Sequence, residues 1–301
     1  MEEAPDTGRT LPATDFVRLS GGKAANVAFL ARRLGHPAHL LARTGDDDLR
    51  EQALAPLRAA GVDLSAVSQA PDIPTAVSMI AVLPNGKKSI ILAGNANDAW
   101  DMAAAEAVLA QVGLAPLGSV LVADYEVPAD LVARAVEAAR ARGLTVVIDP
   151  SPAPRAERAV LGRATAVTPN ASEAESITGI AAQSPASAAE AASRLEQFGA
   201  PIACVKLPDG GCVLRHAGRT MHVPALPVDV VDSTGAGDAF TGGLAVALLE
   251  RQPPLQAAVF ATAVSHLAVT AYGSQAAYPE RDRIQAMARR LGERAVPLGA
   301  V

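Results

Sequence analysis

The chain has 301 residues, half of them apolar and 19% charged, with a mean hydropathy of +0.21. That composition excludes a disordered or fibrous protein and suffices to bury one large α/β core or two smaller ones. No apolar stretch reaches the roughly 18 uninterrupted residues of a membrane span. The acidic start, Met1 to Asp6, lacks the basic region that opens a secretory leader, so no membrane association and a cytoplasmic location are expected. A net charge of −5 with 3% aromatic residues offers neither a basic footprint nor stacking platforms for nucleic acid. Cys204 and Cys212 have the spacing of neither a disulfide framework nor a metal site. The expected partner is a small molecule.

In chain order, Ser20-Gly-Gly-Lys-Ala-Ala-Asn26 leads into an amphipathic helix ending at Leu34, with Gly35 behind it. Gly21 and Gly22 permit close backbone approach, and Lys23 and Asn26 supply donors suited to sugar hydroxyls; the same turn into a helix is also common without any ligand. Residues 75–83, Pro84-Asn85-Gly86 and residues 87–92 read as a hairpin with an Asn-Gly turn, a small second layer set over the sheet as a lid. Strands are expected at 119–123, 145–149, 166–168 and 203–207. Helices are expected at 129–142, near 154–160, at 172–179 and at 237–250. This alternation predicts an α/β fold of βαβ units around a mostly parallel sheet, with ligands at the carboxyl ends of the strands.

Tyr125-Glu126-Val127-Pro128 follows the first of those strands. Glu126 is there either an acceptor for hydroxyl protons or a solvated loop acid. In Thr168-Pro-Asn-Ala-Ser-Glu173, the i, i+3 spacing of Asn170 and Glu173 suits a hydrated Mg²⁺ and equally a helix capping box. The strongest local signal is Asp232-Ser-Thr-Gly-Ala-Gly-Asp-Ala-Phe-Thr-Gly-Gly243, running into an apolar helix. Gly235, Ala236 and Gly237 let backbone N–H groups converge at a helix N-terminus, where free donors and the dipole attract an anion. A carboxylate beside an anion is repelled by it, so Asp238 in the first turn makes sense as the base for a hydroxyl attacking phosphorus. The alternative is an aspartate favoured by the dipole, with glycines that serve close packing. Neither GxxxxGK[ST], GxGxxG after a strand, GxSxG nor HExxH occurs.

Together the three ordered motifs, Gly21-Gly-Lys-Ala-Ala-Asn26, Thr168-Pro-Asn-Ala-Ser-Glu173 and Asp232-Ser-Thr-Gly-Ala-Gly-Asp238, resemble the PfkB family of carbohydrate kinases, most closely its ribokinase-like group. Residues 86–97, Arg43-Thr-Gly-Asp-Asp47 and Gly273-Ser-Gln-Ala-Ala-Tyr-Pro279 also fit, so the likeness runs from about Pro5 to Met287. The resemblance implies one domain over residues 1–301, of three-layer α/β/α Rossmann-like form, with lid strands at about 9–20 and 73–93 and pairing into a homodimer through the lid. It implies ATP-dependent phosphorylation of a sugar primary hydroxyl, ribose being the first candidate. Asp238 would be the general base, with Gly235, Ala236 and Gly237 as the anion hole. Gly21, Gly22, Lys23, Asn26 and Glu126 would hold the sugar beside Asp238. Asn170 and Glu173 would arrange Mg²⁺ and the nucleotide phosphates, while Lys206, Leu207, Asp209, Gly210, Gly211, Gly237 and Thr262 line the nucleotide. A monovalent cation, K⁺, would be held by Asp232 and Thr234 with backbone from Ala268, Ala271 and Gly273.

The departures from the family pattern bear on activity. Pro5-Asp-Thr-Gly-Arg-Thr10 matches the segment downstream of the family's opening strand, so that strand and its sugar-binding aspartate are expected to be missing. Lys206-Leu-Pro-Asp-Gly-Gly211 replaces a Thr-Leu-Gly opening, and Pro208 has no N–H to donate. Arg50 stands where a glycine is usual, and Ala277 where a serine would add a cation contact. Two alternatives therefore stand beside the leading reading: a sugar- or nucleotide-binding protein of weakened catalysis, and a kinase for another sugar or a nucleoside.

Overall fold

Val146, Val147 and Ile148 are all fully buried, yet they point alternately into two separate cores, as residues of a strand covered on both faces must. The same alternation recurs in the neighbouring strands, with Cys204 on one side and Ala203 and Val205 on the other. It defines a sheet sandwiched between two helical layers. The computed structural model describes residue 8 and residues 10–83 and 88–299.

The strands are β1 (Ala42–Thr44), β2 (Val67–Gln69), β3 (Val77–Val82), β4 (Lys88–Ala93), β5 (Val120–Ala123), β6 (Thr145–Ile148), β7 (Ala166–Val167), β8 (Ile202–Lys206), β9 (Cys212–His216), β10 (Arg219–Val223) and β11 (Val296–Leu298). The helices are α1 (Lys23–Arg33), α2 (Asp48–Ala59), α3 (Met102–Leu114), α4 (Ala129–Ala141), α5 (Arg158–Leu161), α6 (Ala171–Thr178), α7 (Pro185–Gln197), α8 (Ala236–Leu249), α9 (Pro254–Ala268) and α10 (Arg281–Gly292). Seven strands form the central sheet in the order β11-β10-β9-β8-β7-β6-β5. β5 to β8 run parallel, and β9 to β11 extend the sheet antiparallel. One face packs against α1, α8, α9 and α10, the other against α3 to α7, which is the expected three-layer α/β/α arrangement. No helix among the described residues is long and apolar enough to cross a membrane.

α8 lies at the middle of its layer, and its composition makes that possible. Adjacent glycines thin it on two sides: a Cβ on Gly242 would stand 2.9 Å from Leu30 Cδ2 of α1, and one on Gly243 would stand 3.0 Å from the Ala261 backbone of α9. Without side chains there, the neighbouring helices approach closely enough to bury ten of the fourteen residues of α8, Asp238 to Ala247. That approach carries the start of α1 to the start of α8.

β3 and β4 pair antiparallel with Val77 opposite Ala93, so the expected hairpin is present as its own two-stranded sheet; its Pro84-Asn85-Gly86 turn lies outside the described residues. The other segment expected as a lid strand, about 9–20, is corrected. Arg9 lies outside the described residues, and residues 10–20 contain no strand. Phe16, Val17 and Leu19 are exposed, and no described strand offers this segment a ladder partner. Extended apolar residues become a strand only when a neighbouring edge satisfies their backbone groups.

Candidate active site

Each of the four parallel strands ends at a charged or polar side chain on the same edge of the sheet. β5 is followed by Asp124 and Glu126, β6 by Asp149, and β7 by the Asn170–Glu173 turn, while β8 ends at Lys206. Two helices begin at this edge, α1 with Lys23 and α8 just before Asp238.

Gly235 occupies the left-handed region at φ 75° and no side chain caps α8; Ala236 N–H donates to Ser233 O at 3.3 Å, so the helix start lacks the side-chain acceptor that a cap would have given it. Asp238, 8% exposed, is held from α1. Asn26 Nδ2 donates to its Oδ2 at 2.7 Å and Lys23 Nζ to its Oδ1 at 3.1 Å. Asn26 is fixed in turn, because its Oδ1 accepts from Ser274 Oγ and Gln275 Nε2 at 3.3 and 3.1 Å. Lys23 also donates to Asp149 Oδ2 at 2.8 Å, and Lys206 Nζ donates to Asp149 Oδ1 at 3.2 Å. A chain of alternating charge thus runs Asp238, Lys23, Asp149, Lys206, and it returns to α8, since a Cβ on Gly237 would lie 3.5 Å from Lys206 Nζ.

Burial works against the charges of Lys23 and Asp149, and their partners outweigh it. The carboxylates of Asp149, Asp238 and Asp124 hold the Lys23 ammonium well above its usual pKa despite its burial. Lys206 and Lys23 likewise keep Asp149 below the usual carboxylate range. Asp124 and Glu126 fare differently. Burial, only partly offset by Lys23, lifts Asp124 to about 6; burial and then the Asp124 charge lift Glu126 to about 7.

Against this geometry, the sequence profile of the pfkB family carbohydrate kinases matches residues 2–281. The chain belongs to that family. It is 29% identical over 274 residues to a ribokinase of Haemophilus influenzae, covering 91% of this chain and 89% of that one. It is also 29% identical over 283 residues to a deoxyribokinase of Salmonella typhi, covering 92% and 90%. The fold matches an Arabidopsis thaliana ribokinase solved with ribose and ATP, with a TM-score of 0.80 at 26% identity over 96% of this chain and 93% of that one. As a pfkB family member the chain is a carbohydrate kinase of ribokinase-like architecture.

Most residues singled out by sequence converge on this edge, and some are spoken for locally. Gly21 and Gly22 precede α1 in exposed backbone. Asn170 and Glu173 form a complete capping box for α6, with Asn170 Oδ1 accepting from Glu173 N at 2.9 Å and Glu173 Oε2 accepting from Asn170 N at 2.8 Å. Leu207 is buried, and Asp209 Oδ1 accepts from Gly211 N at 2.9 Å; a Cβ on Gly210 would meet His266 Cε1 at 3.2 Å. Buried Asp232 ties two backbone segments together, accepting from Thr234 N at 2.8 Å and Gly273 N at 3.0 Å, and Val269 just past Ala268 accepts from Val231 N at 2.8 Å. Ala271 stands between these segments, half-buried. The expected role of Thr262 is corrected. It is fully buried inside α9, and its hydroxyl donates to Ala258 O at 2.8 Å and faces Cys212 Sγ, so it has nothing left to present to a nucleotide.

Asp149 and Asp124 were not among the residues singled out, although both carried a readable signal. Each directly follows an apolar strand run, Thr-Val-Val-Ile148 and Val-Leu-Val-Ala123, at the carboxyl end where a parallel sheet binds ligands. The Tyr278 hydroxyl is buried with no hydrogen-bond partner among the described residues, and a Cβ on Gly235 would lie 3.5 Å from it and 2.6 Å from Ser274 Cβ. A G235A variant therefore suffers a left-handed backbone penalty and a clash with Ser274 together. Turnover is expected to fall by at least about tenfold, the effect of roughly 1.4 kcal/mol on a barrier, with far-ultraviolet circular dichroism unchanged. Wild-type turnover in G235A shows that this turn does not shape the site.

Proposed function

We propose that this kinase transfers the terminal phosphoryl of ATP to the primary hydroxyl of a pentose, ribose first, within one domain spanning residues 1–301. The observation that carries the reading is the position of Asp238, one turn into an uncapped helix and within hydrogen-bond reach of both Lys23 and Asn26. A sugar hydroxyl donating to Asp238 then lies beside the Gly235, Ala236 and Gly237 N–H groups, which stabilise charge on the phosphoryl in flight. The acceptor proton passes to Asp238 and no covalent enzyme intermediate forms. Gly21, Gly22, Lys23, Asn26 and Glu126 hold the sugar hydroxyls, and the 206–211 segment lines the nucleotide.

Mg²⁺ bound with the nucleotide neutralises phosphate charge. Among the residues present, Glu173 retains the oxygen not used in its capping box, which suits a hydrated ion that takes few protein ligands. A monovalent cation fits beside the anion hole, where Asp232 joins the Thr234 and Gly273 segments; K⁺ there would help order the glycine N–H groups. The hairpin serves as the lid and as the dimer contact. Met79, Ile80, Ile90 and Ile91, from both of its faces, are exposed, more apolar surface than its own sheet covers.

A panel of ribose, deoxyribose, other sugars and nucleosides assayed for ADP release with ATP and Mg²⁺ tests the reading. Ribose is expected to give the highest kcat/KM, and ADP release on no acceptor refutes the proposal. The Glu126 carboxylate gives the reaction a pH signature. With its pKa near 7, Glu126 is protonated in acid, where it loses its charge and part of its capacity to accept hydroxyl protons. The value of kcat/KM for the sugar is expected to fall up to about tenfold per pH unit below 7, and E126Q to flatten that limb. Stability runs the other way: a raised carboxylate pKa favours the folded state in acid and loses that advantage as pH rises from about 4 through 7. Melting temperatures of E126Q and the wild type are expected to coincide at pH 4 and to favour E126Q at pH 8.

A further inference from the structure

Lys206 is the last residue of β8, and its backbone is locked into the neighbouring strand end, donating to Pro169 O at 2.9 Å and forming a parallel bridge with Asn170. Its side chain is only 13% exposed. The ammonium is placed where a cation is least expected, beside Gly237 in the first turn of α8, because the positive end of the helix dipole repels it. Asp149 offsets that cost in the ligand-free protein. Lys206 thus links the start of α8, through its ammonium beside Gly237, to the Asn170 strand end, through its backbone bridge, and a strongly anionic group arriving at the α8 N-terminus would meet both the lysine and the positive end of the helix.

We propose that Lys206 is a catalytic residue of this kinase. Its ammonium turns from Asp149 Oδ1 to the terminal phosphoryl of the nucleotide and follows that group during transfer, an assignment that rests on the proposed function above. The bond from phosphorus to the acceptor oxygen forms while the bond to the ADP oxygen breaks, with its electron pair leaving on ADP. The acceptor proton goes to Asp238, and Lys206 keeps its own proton throughout and supplies only charge and a hydrogen bond. Asp149 retains Lys23 when Lys206 turns away, so the acceptor side of the site stays in place. The threonine of the family's usual Thr-Leu-Gly opening would set a short neutral hydroxyl at this position.

The test compares the full-length wild type with K206M, K206Q and K206R. Calorimetric titrations with Mg²⁺ measure ADP and the β,γ-imido analogue of ATP, turnover is measured with ATP and the preferred acceptor, and melting temperatures confirm folding. K206M and K206Q are expected to bind ADP within about twofold of the wild type and the analogue at least about tenfold more weakly, the scale of a charged hydrogen bond. Their kcat is expected to fall about 10²-fold, with K206R recovering part of it. Equal weakening of ADP and analogue in both neutral variants overturns the assignment, since a purely structural lysine disturbs the two alike; so does an unchanged kcat. Wild-type protein that turns over no acceptor refutes the proposed function, while the ratio of analogue to ADP affinity still decides whether Lys206 meets the terminal phosphoryl. Wild-type protein that binds neither nucleotide overturns both.

Discussion

Replacing Asp238 with asparagine is expected to lower kcat by about 10²–10⁴-fold, the range for removing a general base, while leaving fold and ligand binding close to wild type. Asparagine has nearly the same shape and can still accept at one oxygen, so either Asn26 or Lys23 keeps its partner. What it cannot do is take a proton from the attacking hydroxyl. The measurement is single-turnover phosphoryl transfer beside calorimetric titration of sugar and nucleotide. Wild-type turnover in D238N would show that the proton leaves by another route, and loss of sugar binding in step with turnover would make Asp238 a binding group instead.

The largest effect on stability is expected at Asp149. Its carboxylate is 5% exposed and is shared by Lys23 at 2.8 Å and Lys206 at 3.2 Å. Asp149→Leu keeps the branched skeleton and removes both ion pairs, leaving two poorly hydrated ammonium groups, Lys23 with Asp238 and Asp124 as remaining counter-charges and Lys206 without its carboxylate partner. Breaking a buried pair in this way costs about 3–5 kcal/mol, which urea denaturation followed by circular dichroism would read as a lowered midpoint with an unchanged slope. The double variant D149L/K206M is expected to recover part of the loss, because one stranded charge is gone; strict additivity of the two single changes would mean that the residues do not interact. A loss below about 1 kcal/mol in D149L would place the pair among weak surface bridges.

Much of this was legible in the sequence, for identifiable reasons. The run Leu144-Thr-Val-Val-Ile148 is continuously apolar because both faces of β6 are covered, so strand and sheet type could be read together. Gly235 was legible because the left-handed turn before Asp238 demands it. Asn170 and Glu173 fit two readings at once, and the complete capping box shows why: the spacing that closes a helix start also sets two polar groups at a strand end. Residues 10–20 misled because strand character depends on a partner edge that local pattern does not encode. Thr262 misled because a polar residue in an apolar helix can satisfy itself against the carbonyl four residues earlier. The Asp149 link between the two lysines joins residues 126 and 57 positions apart, a proximity that only the folded sheet creates.

The thinning of α8 by Gly242 and Gly243 has an evolutionary corollary. Asp238, the proposed proton acceptor, is anchored on a helix packed closely against both of its neighbours, whereas Asp124 and Glu126 sit on a connecting segment after β5. Descendants of this chain can exchange the latter segment and greet a new alcohol with the phosphate-handling core untouched. A side chain at Gly243 would press on the Ala261 backbone and shift the helix that carries Asp238 in every such descendant alike.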